Sequence, residues 1–228
     1  MNFSAGPSAV GNPPDANHGL SPGLLDLIRA DCPSERNVLD VGCGQGRLVL
    51  AIAPDARWVI GLDRDEDAIA QAALVAKERG IVNVEFRVAD AETSDYRRLG
   101  RPIQMVAAHL CMSDAIIERA ADGLSAGDPL VFAAFHIDQW KETAKVSRFA
   151  YSEDRLRQIL GRTGFSIEHL QVECHVRQFA SEAEAMQTLA HLRPRWESDG
   201  RWGSYLAYLS AGGRDLTQSH VVVKARRR

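Results

Sequence analysis

Asp40-Val41-Gly42-Cys43-Gly44-Gln45-Gly46 lies between an apolar run and a short helical pattern. The run before it, 37–39, predicts a buried strand, and the segment 47–53, which Pro54 stops, predicts a helix. Glycine is required where a backbone turns sharply and leaves no side chain between itself and a ligand. The unpaired N–H groups at the start of a helix favour a polar or anionic ligand group. The stretch therefore predicts a strand, a glycine turn and a helix, with a ligand at the turn.

A second acidic residue, Asp63, ends the next apolar run, 58–62. It follows the glycines by about 20 residues, where nucleotide-binding βαβ units carry the carboxylate that binds a ribose. A turn that only joins a strand to a helix needs neither three alternating glycines nor acids at these two positions. The pattern predicts a pocket for a cofactor with an adenosine part.

The glycine spacing narrows the choice of cofactor. Dinucleotide sites read G-x-G-x-x-G, whereas this chain reads G-x-G-x-G, with Arg47 where the third glycine would stand. Asp40 in front of the turn would repel a pyrophosphate, and it suits the sulfonium and amino groups of S-adenosylmethionine better. With these residues the chain resembles the class I S-adenosylmethionine-dependent methyltransferases. Segments 84–91 and 104–109 resemble the third and fourth motifs of that family, and the resemblance covers about residues 18–175.

The resemblance implies S-adenosyl-L-methionine as cofactor and S-adenosyl-L-homocysteine as product. It also implies a doubly wound, Rossmann-like α/β sheet of seven strands, mostly parallel, with an antiparallel last strand. The residues expected to bind the cofactor are Asp40, Gly42, Cys43, Gly44, Gly46, Asp63, Arg64, Asp90, Ala91 and His109.

The alternation of strands and helices independently predicts right-handed βαβ crossovers and a parallel sheet. Residues 1–17, rich in Gly, Pro, Ser and Asn, are expected to be flexible, and 18–228 to form the methyltransferase domain. Segment 179–217 interrupts the alternation and predicts a small helical insertion near the C-terminus. Its aromatic residues allow two interpretations, a lid over the acceptor pocket or a helical hairpin with a core of its own. These residues are Trp196, Trp202, Tyr205 and Tyr208.

Methyl transfer from a sulfonium depends mainly on alignment of the nucleophile, and a base is needed only if that nucleophile arrives protonated. In open parallel sheets the ligand lies at the carboxyl ends of the strands. His109 and His136 end two predicted strands at that edge, so they are the candidate catalytic residues. For each, a structural role is the alternative. No His, Cys or Asp residues have metal-ligand spacing, so no metal is expected.

Composition limits the remaining choices. A net charge of −3 over 228 residues argues against a large nucleic-acid footprint. Cys32, Cys43, Cys111 and Cys174 show no paired spacing, and no apolar run reaches membrane-spanning length. We therefore expect a cytoplasmic protein with no membrane segment, whose oligomeric state the sequence leaves open. The leading hypothesis is a methyltransferase for a small-molecule acceptor. The alternatives are a tRNA or protein methyltransferase and a non-catalytic module that binds S-adenosylmethionine.

Overall fold

The computed structural model describes residues 19–31 and 33–228, so the expectation for segment 1–17 lies outside the described residues. One sheet organises this part of the chain, and its strand order is β3-β2-β1-β4-β5-β8-β7. The strands are β1 (Asn37–Val41), β2 (Trp58–Asp63), β3 (Val84–Val88), β4 (Met105–His109), β5 (Pro129–His136), β6 (Ala150–Tyr151), β7 (Phe165–Gln178) and β8 (Asp215–Arg227).

The pairing confirms the predicted topology. Strands β1 to β5 run parallel to one another, and β8 enters antiparallel between β5 and β7. The strand count differs from the predicted seven because the two-residue strand β6 pairs with the end of β5. This short pairing brings the end of the loop that follows β5 back to the sheet. A strand of two residues is too short to show a pattern in the sequence.

Helices cover both faces of the sheet. On one face α1 (Pro22–Arg29), α2 (Arg47–Ile52) and α3 (Glu66–Glu78) enclose an apolar core, and on the other face α4 (Asp114–Gly123) and α5 (Glu153–Arg162) enclose a second. Every residue of β1 is buried because this strand is covered on both sides, as expected for a parallel sheet. Because β1 pairs in parallel with both β2 and β4, the carboxyl ends of these three strands meet at one edge of the sheet.

Strands β7 and β8 form a long antiparallel ribbon that pairs from Phe165 with Arg227 to Gln178 with Asp215. The predicted insertion joins them and contains α6 (Glu182–Thr188), α7 (Arg193–Asp199) and α8 (Arg201–Ser210). Its last three predicted residues, 215–217, belong instead to β8, because cross-strand pairing with β7 extends the strand beyond its apolar run. None of the helices in the described residues is long and apolar enough to cross a membrane.

The insertion has its own apolar core. Trp196 is fully buried and packs edge-on against Trp140 from the β5–β6 loop and against Tyr205, with ring centroids 5.1 and 5.6 Å apart. Trp202 also belongs to this third core, at 6% exposure. The aromatic residues named from the sequence thus contact one another and the loop after β5.

Candidate cofactor site

The glycine turn takes a backbone path that side chains disfavour. Gly42, Gly44 and Gly46 have φ angles of 66°, 50° and 77°. Asp63, at the end of β2, holds the turn in place, because its Oδ2 accepts a hydrogen bond of 2.7 Å from the N–H of Gly44. Its Oδ1 accepts another from the N–H of Asp65, at 3.0 Å. The acid predicted for ribose binding is therefore fixed against the turn that precedes it.

The three glycines of the turn are required for different structural reasons. A Cβ on Gly42 would lie 2.1 Å from Sγ of Cys111, and a Cβ on Gly46 would lie 2.9 Å from the ring of Phe86. These two positions are glycine because neighbouring side chains pack against the backbone. At Gly44 a Cβ would meet nothing within 4 Å. This position faces open space, as a backbone that approaches a ligand requires.

Two adjoining cavities, of about 170 and 190 Å³, share Gly42 at the carboxyl edge of the sheet. The first lies towards β2, β3 and α4, and the second towards α1 and α2. The first is lined by Gly42, Asp63, Arg64, Ala89, Asp90, Ala91, Glu92, Cys111, Met112, Ser113, Ile116, Arg148 and Phe149. The second is lined by Leu20, Asp40, Gly42, Cys43, Gly44, Gln45, Arg47, Leu48 and His109.

Nearly all of the predicted cofactor residues therefore meet in these two cavities. Gly46 lines neither, because it packs beneath the turn against α3 and β3. Sequence reasoning missed Arg148 and Phe149, which come from the β5–β6 loop and belong to no motif. Only the return of that loop through β6 brings them beside the end of β2.

Asp40 is an uncompensated buried acid. It is 1% exposed, and its Oδ2 has no hydrogen-bond partner among the described residues. Burial, reinforced by the nearby charge of Asp63, raises the pKa of Asp40 well above its usual range. A buried polar atom without a partner costs free energy, so a cationic group in the second cavity would supply the missing partner and favour the ionised form of Asp40.

The two cysteines beside the turn are poor nucleophiles. Burial and the charges of Asp40 and Asp63 raise the pKa of the Cys43 thiol, and burial and the same charges raise that of Cys111 to about 11. A thiol reacts as its thiolate, so both remain protonated and act as small packing groups at neutral pH. Cys111 contacts the turn at Gly42.

The two predicted histidines differ in their surroundings. His109 lines the second cavity, and burial, with smaller effects from His220 and Arg47, lowers its pKa to about 4. His136 lies outside both sets of lining residues, and its two ring nitrogens lie 3.2 Å from Glu153 Oε2 and 3.1 Å from Ser219 Oγ. The fold therefore brings His109 to the predicted site and holds His136 in a separate polar cluster.

Within the described residues, no group of three or more His, Cys, Asp and Glu side chains is arranged to hold a metal ion. The site offers instead two acids on either side of one glycine turn, the open backbone position at Gly44 and a neutral imidazole. This set suits an organic ligand with a diol at one end and a cationic group at the other.

Comparisons with known proteins agree with this geometry. A family model described as "Methyltransferase domain" matches residues 33–150. The chain is 36% identical to "Uncharacterized methyltransferase YcgJ" of Bacillus subtilis over 69 residues, which are 30% of this chain and 27% of that protein. The crystal structure of YcgJ superposes with a TM-score of 0.63 at 15% identity, over 90% of this chain and 98% of that one.

Two further relatives act on different kinds of acceptor by their names. One is 2-heptyl-1-hydroxyquinolin-4(1H)-one methyltransferase of Mycobacteroides abscessus, 37% identical over 37% of this chain and 34% of that protein. The other is a 23S rRNA (uracil(1939)-C(5))-methyltransferase of Methylococcus capsulatus, 43% identical over 32% of this chain and 17% of that protein. Each matched segment thus spans about a third or less of the relative's own length.

Proposed function

Because this chain belongs to the methyltransferase domain family, we propose that it is an S-adenosylmethionine-dependent methyltransferase. The observation that carries the proposal is the placement of two acids around one glycine turn. Asp63 is fixed towards the first cavity, and Asp40 is buried with an unpaired oxygen in the second. A ligand with a ribose on one side of Gly42 and a cationic group on the other satisfies both.

The residues present fit this cofactor. Asp63 would accept hydrogen bonds from the ribose hydroxyls, and Asp90 and Ala91 would border the adenine. Asp40 and the turn at Gly44 would hold the methionine part, with its amino group towards the unpaired oxygen. When bound, the cofactor supplies a methyl group already activated by a sulfonium. The protein then has to orient the acceptor, exclude water and, for a protic acceptor, take up a proton.

A small molecule is the acceptor class that the charges favour. The lining of the two cavities mixes the acids Asp40, Asp63, Asp90 and Glu92 with three arginines, Arg47, Arg64 and Arg148, so it does not form the uniformly basic surface that a phosphate backbone favours. The net charge of −3 adds no attraction. A nucleic-acid acceptor, which one relative's name suggests for that relative, would need a basic surface around this mouth.

Calorimetry tests the cofactor directly. We expect S-adenosylmethionine and S-adenosylhomocysteine to bind and to raise the melting temperature, because a ligand that binds only the native state stabilises it. Binding of NAD while both adenosyl compounds remain silent would overturn the proposal. A methyl-donor assay with a panel of small molecules and RNA then separates an enzyme from a binding module.

Gly44→Ala is expected to weaken cofactor binding much more than it weakens the fold. The added methyl group would enter the space that the cofactor occupies, and the positive φ adds about 1 kcal/mol of backbone strain. Gly80→Ala is the matched control, since Gly80 also has a positive φ and an open Cβ position but lies after α3. Titration calorimetry and thermal unfolding on both variants measure the two effects. Equal loss of cofactor affinity in both variants would remove Gly44 from the site.

Cofactor affinity is expected to rise as pH increases above the ordinary carboxyl range, about pH 4. The pKa of Asp40 is raised in the folded protein, so ionisation of Asp40 destabilises the free protein as pH rises above the ordinary carboxyl range. A bound cationic group favours the carboxylate form of Asp40, so binding releases a proton. Cofactor affinity therefore increases as the pH rises. His109, whose pKa is about 4, stays neutral over this range.

Calorimetry in buffers with different ionisation enthalpies measures the released proton. Asp40→Asn keeps the size of the side chain and removes its titration, so it should flatten the pH dependence and release no proton. An unchanged pH profile in Asp40→Asn would show that the coupled proton belongs to another group.

A further inference from the structure

A row of three side chains crosses the sheet beyond the second cavity. In the strand register, Phe135 of β5 lies opposite His220 of β8, and His220 lies opposite Glu173 of β7. Directly opposed residues in a sheet point to the same face. The rings of Phe135 and His220 are 5.8 Å apart, and all three side chains are partly exposed.

This row lies on the same face as His109. His109 is opposite Ala133, and Ala133 is opposite Val222, which places His220 one row further towards the carboxyl edge of the sheet. Ala133 and Val222 belong to the core beneath α1 and α2, the side on which the second cavity lies. The two imidazoles are close enough that a charge on His220 lowers the pKa of His109.

Glu173 is held in place behind His220. Its Oε2 accepts a hydrogen bond of 3.0 Å from the hydroxyl of Ser21, the N-cap of α1. Its Oε1 lies so close to Gly23 that a Cβ there would be 2.6 Å away. The start of α1 therefore fixes the carboxylate against the sheet.

We propose that His220, backed by Glu173, orients the methyl acceptor together with His109. The acceptor would be a small molecule with an apolar body and a protic nucleophile, that is, a hydroxyl, thiol or amine. The inference rests on the proposed function, since it assigns the acceptor side of the same site. Phe135 and Leu20 would contact the apolar body, and the imidazole of His220 would accept the hydrogen bond of the nucleophile.

The charges around His220 fit this role. Burial lowers the pKa of His220, and Glu173 acts in the opposite direction, so the neutral imidazole has a free electron pair while its protonated form has a stabilising partner. When the nucleophile gives up its proton, the proton passes to the ring nitrogen and then to solvent, and the bonding electrons stay on the nucleophile. Among the titratable groups nearby, Glu173 on β7 acts on His220, while His220 and Arg47 on α2 act on His109.

The test uses the full chain saturated with S-adenosylhomocysteine and matched pairs of small probes. One member of each pair carries a hydroxyl, thiol or amine, and the other carries the same group capped by a methyl. Short oligoribonucleotides form a third set. Ligand-observed NMR measures probe binding, and the ring ¹³C–¹H signals of His109 and His220 show whether the probe binds beside these two residues.

We expect protic probes to perturb both histidine signals and to bind about tenfold more tightly than their capped partners, the worth of one hydrogen bond to an imidazole. His220→Phe should abolish this preference while S-adenosylhomocysteine affinity stays within about threefold. His191→Phe, on the exposed surface of the insertion, is the control and should preserve the preference. Glu173→Gln should move the titration of His220 to lower pH, a change that a purely structural role of Glu173 would not cause.

Several results would overturn the assignment. These are a preference that survives His220→Phe, probes that leave the His220 signal unmoved, an absence of protic binders, or binding by the oligoribonucleotides alone. The failure of S-adenosylhomocysteine to bind would instead overturn the proposed function on which the assignment depends.

Discussion

Asp63→Ala is expected to reduce the affinity for S-adenosylmethionine and S-adenosylhomocysteine by at least about a hundredfold. Charge-assisted hydrogen bonds to a carboxylate contribute about 1.5–3 kcal/mol each, and Asp63 would make two with the ribose. The substitution also removes the acceptor for the N–H of Gly44, which is 2.7 Å away. The loss therefore combines direct contacts with the anchoring of the turn, and titration calorimetry measures it.

Two variants make this result specific. Asp63→Asn keeps one oxygen acceptor, so it should retain part of the affinity, whereas Asp122→Asn, an exposed acid on α4, should retain all of it. Circular dichroism checks that each variant is folded. A folded Asp63→Ala protein that loses less than about tenfold in affinity would exclude Asp63 from the cofactor site.

Trp196→Ala is expected to lower the free energy of unfolding by about 3–5 kcal/mol, the usual cost of removing a large aromatic residue from a packed core. Trp196 is fully buried between Trp140 and Tyr205, so truncation leaves a cavity that these rings cannot refill. Affinity for S-adenosylhomocysteine should stay unchanged, because the third core borders neither cavity of the cofactor site. Denaturant unfolding and calorimetry measure the two quantities.

Trp196→Phe is the matched control. It keeps an aromatic ring and removes an indole N–H that has no partner among the described residues, so its cost should be much smaller. Trp202→Ala then addresses the lid hypothesis, since a lid residue would change acceptor binding and a packing residue would change stability alone. A stable Trp202→Ala protein that binds the probes more weakly would favour the lid.

The residues proposed to bind the cofactor could be chosen from the sequence because their signals are local. The turn at 40–46 and the acid at Asp63 lie on consecutive strands, and a strand, a glycine turn and a helix permit few geometries. The mostly parallel sheet followed from the crossover rule, and its antiparallel last strand followed from the family resemblance. Burial of a carboxylate at position 40 could be anticipated from the apolar strand around it, whereas its missing partner required coordinates.

The residues proposed to orient the acceptor could not be chosen from a local sequence pattern. His220 and Glu173 are 47 positions apart in the sequence, and only the β7–β8 register sets them opposite each other. The apolar run of the last strand, 221–223, follows polar residues at 217–220. Pairing in the ribbon, rather than apolar periodicity, extends β8 back to Asp215. His136 was chosen for its position at a strand end, and the structure places its side chain in a polar cluster away from both cavities.

The chain divides near Pro129, at the start of β5, into two parts with separate proposed roles. The residues proposed to hold the cofactor lie within 40–109, whereas the row at Phe135, His220 and Glu173 comes from 135–220 and joins the first part along the β4–β5 pairing. Apart from Leu20 and His109, the residues proposed to contact the acceptor lie in the second part, so a different segment grafted after Pro129 would change acceptor preference and leave the proposed cofactor residues in place. The helical insertion is a shorter segment that could be replaced in the same way. Its two ends lie side by side, because Gln178 and Asp215 are cross-strand partners at its base.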